Sequence, residues 1–136
     1  MKLIPYLDFD GNCRQAFDFY ATVFNAKITL RMTYGESPMA DTLPAHASDR
    51  ILHSQLDSAA ATLMGADAPP PHTPSKGCVN IEVDTPAEAA RIFDALAEGG
   101  EIQMGLTETF WAHRFGMLTD RFGKAWMLNC PKPLNA

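Results

Sequence analysis

The sequence predicts an α+β domain made of two βαβββ modules, with a curved mixed sheet around a cavity. Three observations carry this expectation. A stretch of the first half, Leu7–Ile28, lies over Ile81–Ile102 without a gap at an offset of 74 residues. Both copies pass from a period-2 apolar pattern to a helical one. Three strand-like segments follow each helical stretch, and a proline-rich break separates the halves.

The overlay matches Asp10 to Asp84, Ala16 to Ala90, Phe19 to Phe93, Ala21 to Ala95 and Ile28 to Ile102. Five identities are weak alone; the shared physical plan matters more. Leu7 and Phe9 flank Asp8, and Ile81 and Val83 flank Glu82, so each copy opens as a strand with one face toward a helix. Asn12 with Gln15, and Thr85 with Glu88, have capping-box spacing, and Pro86 suits the first helical position. The helical stripes are then Ala16, Phe19, Tyr20 and Val23 in the first copy, and Ala89, Ile92, Phe93 and Leu96 in the second. Gly99-Gly100 ends the second helix, and Asn25 is a weaker stop for the first.

The strand candidates are Lys27–Tyr34, Ile51–Asp57 and Ala61–Met64, then Glu101–Thr107, Arg114–Thr119 and Ala125–Cys130. The polar composition between Tyr34 and Arg50 predicts a long, mobile loop. Residues 69–76 read as a stiff polyproline-type linker between a first module of about 1–68 and a second of about 77–131, within one domain spanning 1–136. One helix covers one sheet face in each module. Two modules can bury or share the faces left bare.

Composition excludes several function classes. The chain has 136 residues, 46% of them hydrophobic and 20% charged, as in a soluble globular domain. Its net charge is −5 and it has no Lys/Arg run, which argues against nucleic acid as a partner. No apolar stretch reaches the ~20 residues of a membrane span. The N-terminus lacks a charged-then-apolar export signal. Cys13, Cys78 and Cys130 are odd in number and show no CxxC spacing, so reduced thiols in a cytoplasmic protein are expected.

Particular residues then point to a family. They are Pro5-Tyr6-Leu7 with Gly11-Asn12, Phe19-Tyr20 in the first helix, and His53 in the third strand. Phe110-Trp111, Arg114-Phe115-Gly116, Asp120-Arg121-Phe122-Gly123 and Trp126-Met127-Leu128-Asn129-Cys130 complete the set. With the paired βαβββ units, the chain resembles the glyoxalase/bleomycin-resistance/dioxygenase (vicinal oxygen chelate) superfamily, and within it the PhnB-like group. The resemblance covers nearly the whole chain. It implies the glyoxalase/bleomycin-resistance/dihydroxybiphenyl dioxygenase fold, a small-molecule ligand and a homodimer, for which exposed sheet edges give a physical reason. A methyltransferase activity, a label attached to PhnB-like relatives, finds no support. Gly99-Gly100 follows a helix as a cap and does not form a cofactor-binding strand-to-helix turn.

Enzymes of the superfamily usually hold a divalent metal with His, Gln or Glu from the first and last strands of each unit. The resemblance places those positions at Ile4, Cys78, Leu63 or Met64, and Met127 or a neighbour. Aliphatic and thioether side chains give a hard cation no oxygen or imidazole. The expectation is therefore no metal and no cofactor.

Strand parity selects the remaining candidates. His53 and Gln55 share one face of the third strand while Leu52 and Leu56 take the other. Asn80 and Glu82 share a face, with Cys78 and Tyr6 in the same phase of their opening strands. Trp111, His113 and Phe115 alternate. His53 and Glu82 are the catalytic candidates, as an imidazole and a carboxylate able to move a proton. Tyr6, Gln55, Cys78, Asn80, Trp111, His113, Phe115 and Met127 are the ligand-binding candidates. Asp120 near Gly123 reads as a turn residue, and His46 and His72 as solvated.

The leading reading is a protein that binds a small molecule in an interior cavity without a fixed metal, as a binder or as a lyase- or isomerase-like enzyme. A second is a sequestering protein of the bleomycin-resistance type. A third is a metalloenzyme with atypical ligands from His53, Cys78, Glu82 and His113.

Overall fold

The computed structural model describes residues 2, 4–38, 40–68 and 77–133. The proline-rich linker and His72 lie outside the described residues. The chain divides into two compact units, Met1–Ser75 and Lys76–Ala136.

In the first unit, β1 (Tyr6–Phe9), α1 (Cys13–Val23), β2 (Lys27–Thr33), β3 (Ile51–Asp57) and β4 (Thr62–Asp67) form a four-stranded mixed sheet in the order β1-β4-β3-β2. β1 runs parallel to β4 and the other neighbours are antiparallel. The second unit repeats the plan with β5 (Cys78–Glu82), α2 (Pro86–Ala97), β6 (Glu101–Thr107), β7 (Ala112–Thr119) and β8 (Ala125–Pro131), in the order β5-β8-β7-β6. The two βαβββ modules are thus two sheets, one per unit. A parallel pair requires a long crossover, and in each unit the helix and two strands supply it.

Each helix buries the stripe facing its own sheet. In α2 the buried residues are Ala89, Ile92, Phe93 and Leu96, the stripe the sequence predicts. Thr85 sets its phase: the side chain accepts the Glu88 N–H at 3.2 Å, with Pro86 in the first turn. Gly99 then takes φ +73°, the left-handed C-terminal cap.

In α1 the sequence reading needs correction. The buried stripe is Cys13, Ala16, Phe17, Tyr20 and Val23, with Phe17 rather than Phe19 at full burial. Asn12 makes no side-chain cap. The buried Asp67 at the end of β4 caps instead: Oδ1 accepts Gly11 N–H at 2.8 Å and Cys13 N–H at 3.1 Å, and Oδ2 accepts Ile51 N–H at 2.7 Å. The helices therefore superpose as Ala16 on Ala89 and Tyr20 on Phe93, one residue off the ungapped overlay. Ala90, the earlier match for Ala16, is exposed.

A close helix-to-sheet approach recurs in both units. A Cβ on Gly65 of β4 would come within 2.7 Å of Phe17 Cε1, and one on Gly116 of β7 within 2.7 Å of Phe93 Cε2. Glycine lets an aromatic ring approach each sheet closely.

The segment after β2 is more ordered than a loose loop. It contains short 3-10 turns at Tyr34–Glu36, Ala40–Thr42 and Ala45–Ala47. Backbone bonds Tyr34 N–H to Arg50 O and Gly35 N–H to Ser48 O close it. Tyr34 is buried, and its hydroxyl donates to the Asp67 carbonyl at 3.0 Å. Asp120 forms the β7–β8 turn as its spacing anticipates: Oδ1 accepts Phe122 and Lys124 N–H at 2.9 and 3.0 Å, and Oδ2 accepts the Trp126 indole N–H at 2.8 Å.

Candidate functional site

Strand alternation leaves each sheet a face turned away from its helix. In the first unit, pairing sets Tyr6 beside Met64, Met64 beside Gln55 and Gln55 beside Leu30 across all strands. Asp8 pairs with Ala66 and Met32 with His53 one step along the strands. Leu7, Leu56 and Leu63, in the other phase, are buried. Met64, not Leu63, therefore stands on the open face.

Tyr6 and His53 meet there. The Tyr6 hydroxyl lies 3.1 Å from His53 Nδ1, and the rings are 5.8 Å apart with planes 27° from parallel. Burial, then the negative charge of neighbouring groups, pushes the Tyr6 phenol above its ordinary value, so it keeps its proton. With the phenol donating, Nδ1 accepts and Nε2 carries the imidazole proton; with Nδ1–H donating, the phenol oxygen accepts. Gln55 is fixed differently: Nε2 donates to Asp57 Oδ2 at 2.8 Å. Asp57 also accepts from Thr29 and Thr62, and these bonds hold its carboxyl at about 2. The exposed Leu30 and Met32 add apolar surface to the same face as the polar pair.

The second sheet has the same layout with other chemistry. Asn80 pairs with Met127, Met127 with Met117 and Met117 with Met104. Glu82 pairs with Asn129, and Asn129 with Phe115. By position in the sheet, Met127 corresponds to Met64, Phe115 to His53 and Glu82 to Asp8. Trp111 meets Phe115 edge to face at 5.3 Å and Phe110 at 4.8 Å. Phe110 is 89% exposed. Lys132 secures the loop carrying these rings through Glu108 at 3.1 Å and the Thr109 carbonyl at 2.9 Å.

The predicted residues thus fall into groups. Tyr6, His53 and Gln55 share the first sheet's open face, with Tyr6 bonded to His53. Asn80, Glu82, Met127 and Phe115 share the second's, and Trp111 joins Phe115. Cys78 begins β5, exposed, and partial burial of its thiol raises its pKa above the ordinary 9.0. His113 stands exposed where the β7–β8 register shifts between Ala112 and Arg114, so its simple alternation with Trp111 and Phe115 breaks there. His53 and Glu82 belong to different units. Cys13 and Cys130 are buried.

Sequence reasoning missed Asn129. Its Oδ1 is buried and has no hydrogen-bond partner among the described residues. Such an acceptor costs about 1–3 kcal/mol of desolvation unless a donor arrives. Alternation from Met127 would have placed it on this face.

A profile of the Glyoxalase/Bleomycin resistance protein/Dioxygenase superfamily matches residues 4–128. The chain belongs to this superfamily. It is 36% identical to Protein YjdN of Escherichia coli strain K12, over 97% of each chain. The crystal structure of protein PA1353 from Pseudomonas aeruginosa shares 42% identity and superposes with a TM-score of 0.87, covering 98% of this chain and 99% of that one. A PhnB protein from Bacillus cereus shares the fold at a TM-score of 0.77 and 23% identity, over 95% and 98% of the two chains.

The metal that superfamily enzymes hold does not fit these residues. Met64 and Met127 stand within their strands on the open faces and Cys78 begins β5, and their thioethers and thiol offer a hard cation no oxygen or imidazole. Among the described residues, no three His, Cys, Asp or Glu side chains converge on one point. Among the described residues, no helix is long and apolar enough to cross a membrane.

Proposed function

We propose that this superfamily member binds a small organic molecule on the open faces of its sheets, without a divalent metal. The Tyr6–His53 hydrogen bond carries the proposal. It is a hydrogen-bonded polar pair on a face whose other exposed residues are mostly aliphatic or thioether, which is the composition of an organic ligand site. With the phenol donating to Nδ1, His53 Nε2 is a donor to a ligand oxygen. General-base chemistry at Nε2 would need the opposite tautomer, so the pair supports an anchoring role more than proton abstraction.

A thermal-shift screen tests this, using thiol conjugates, phosphonates, aromatic antibiotics and divalent metals. A ligand that binds the folded chain raises its melting temperature by mass action. At least one organic probe is expected to do so, with the shift reduced in His53→Ala and Tyr6→Phe. Stabilisation by a divalent metal alone would overturn the proposal.

The second reading, sequestration without turnover, is favoured by the Phe110–Trp111–Phe115 cluster, an aromatic surface with no acid or base in it. Unchanged recovery of a bound antibiotic distinguishes it from catalysis. Homodimer formation is proposed on the same footing. β6 is an edge strand exposed at nearly every position, and light scattering of the purified chain decides the matter.

A further inference from the structure

The charge pattern of the second sheet selects among ligands. We infer that its open face takes an organic cation: an aromatic or thioether-compatible body carrying an ammonium or amidinium group. The inference rests on the proposal that this face binds a ligand at all, and names the ligand's chemistry.

Reading across the register, the Glu82 carboxylate shares this face with the amides of Asn80 and Asn129. Glu82 lies beside Asn129, and its carboxylate has no ion-pair or hydrogen-bond partner among the described residues. Asn129 Oδ1 is buried and equally unpartnered. An anionic ligand would need a cation to receive it, and the described strand positions of this face carry no Lys or Arg. Arg114 stands opposite Cys130, in the other phase of β8 and next to the buried Leu128. A carboxylate, phosphonate or phosphate placed beside Glu82 would meet like charge, with only neutral amide N–H donors to offset it. An ammonium would meet a carboxylate and a carbonyl oxygen that lacks a donor.

The remainder of the face suits the body of such a ligand. Phe115 and Trp111 offer ring faces and edges, and aromatic faces attract cations. Met127, Met117 and Met104 follow one another across three strands. Their unbranched thioethers move readily, so a ligand can press in beside Asn129 and uncover its oxygen.

Three probes of one shape separate the outcomes: 2-naphthylmethylamine, 2-naphthalenemethanol and 2-naphthoate, titrated by calorimetry into the whole chain at low salt. The amine is expected to bind about tenfold more tightly than the alcohol, with the carboxylate weakest. Glu82→Gln should reduce the amine to the level of the alcohol and leave the alcohol unchanged. Trp111→Ala should weaken amine and alcohol alike. Equal binding of amine and carboxylate would overturn the cation inference while leaving ligand binding intact. Failure of all three to bind would overturn both.

Discussion

Asp67 accepts the backbone N–H of Cys13 at 3.1 Å, so the end of β4 caps α1 across 54 positions of sequence. The same buried carboxylate receives Gly11 and Ile51. Removing it leaves three backbone donors to find other partners. Asp67→Ala is expected to cost about 3 kcal/mol in urea unfolding, with loss of α1 seen by hydrogen exchange. Asp67→Asn should recover part of this, because an amide keeps one acceptor oxygen.

The glycines under the helix aromatics predict a matched pair of defects. Gly65→Ala drives a methyl into Phe17 and the Leu7 carbonyl, and Gly116→Ala into Phe93 and the Met104 carbonyl. Each should destabilise by about 1–3 kcal/mol. Combining Gly116→Ala with Phe93→Leu should cost less than the sum of the two single changes, measured as a double-mutant cycle.

Much of this packing was legible in the sequence, and the gaps have identifiable causes. β3 and β6 begin and end where alternation places them, and the α2 stripe is complete because Thr85 and Pro86 fix its phase locally. α1 slipped because its cap comes from Asp67, and no local spacing reveals a partner so distant. Gly11, at φ +94°, lengthens the turn before α1 relative to its repeat. Parity alone put Tyr6, His53 and Gln55 on one face of the first sheet. That Tyr6 reaches His53 depends on β4 lying between β1 and β3, which is a property of the sheet order. The β7 irregularity that displaces His113 likewise arises from pairing with β8.

Acid should expose the Asp57 network. Its folded value, held at about 2 by Thr29, Thr62 and Gln55, lies below the ordinary 3.8. A depressed carboxylate contributes stability that is complete above its unfolded value and lost as pH falls through its folded value. Wild type should therefore lose stability as pH drops from 3.8 toward about 2. Asp57→Asn should show a shallower loss over that interval, followed by urea midpoint. An identical slope in the two proteins would contradict the assignment.

Tyr6→Phe should release the His53 tautomer. In the wild-type chain at alkaline pH, nitrogen-15 spectra should show His53 Nδ1 unprotonated and Nε2 protonated. Without the phenol donor, the Nδ1–H form should grow. An unchanged tautomer ratio would mean that the hydroxyl does not donate to Nδ1.

The most direct measurement is a fragment screen of uniformly nitrogen-15-labelled chain by NMR, run in the presence of a chelator. Organic fragments should bind with metal removed, and their shift changes should centre on Tyr6, His53 and Gln55 or on Trp111, Phe115 and Asn129. Fragments that perturb only other surfaces, or bind only after a divalent cation is restored, would contradict a metal-free ligand site on the open sheet faces.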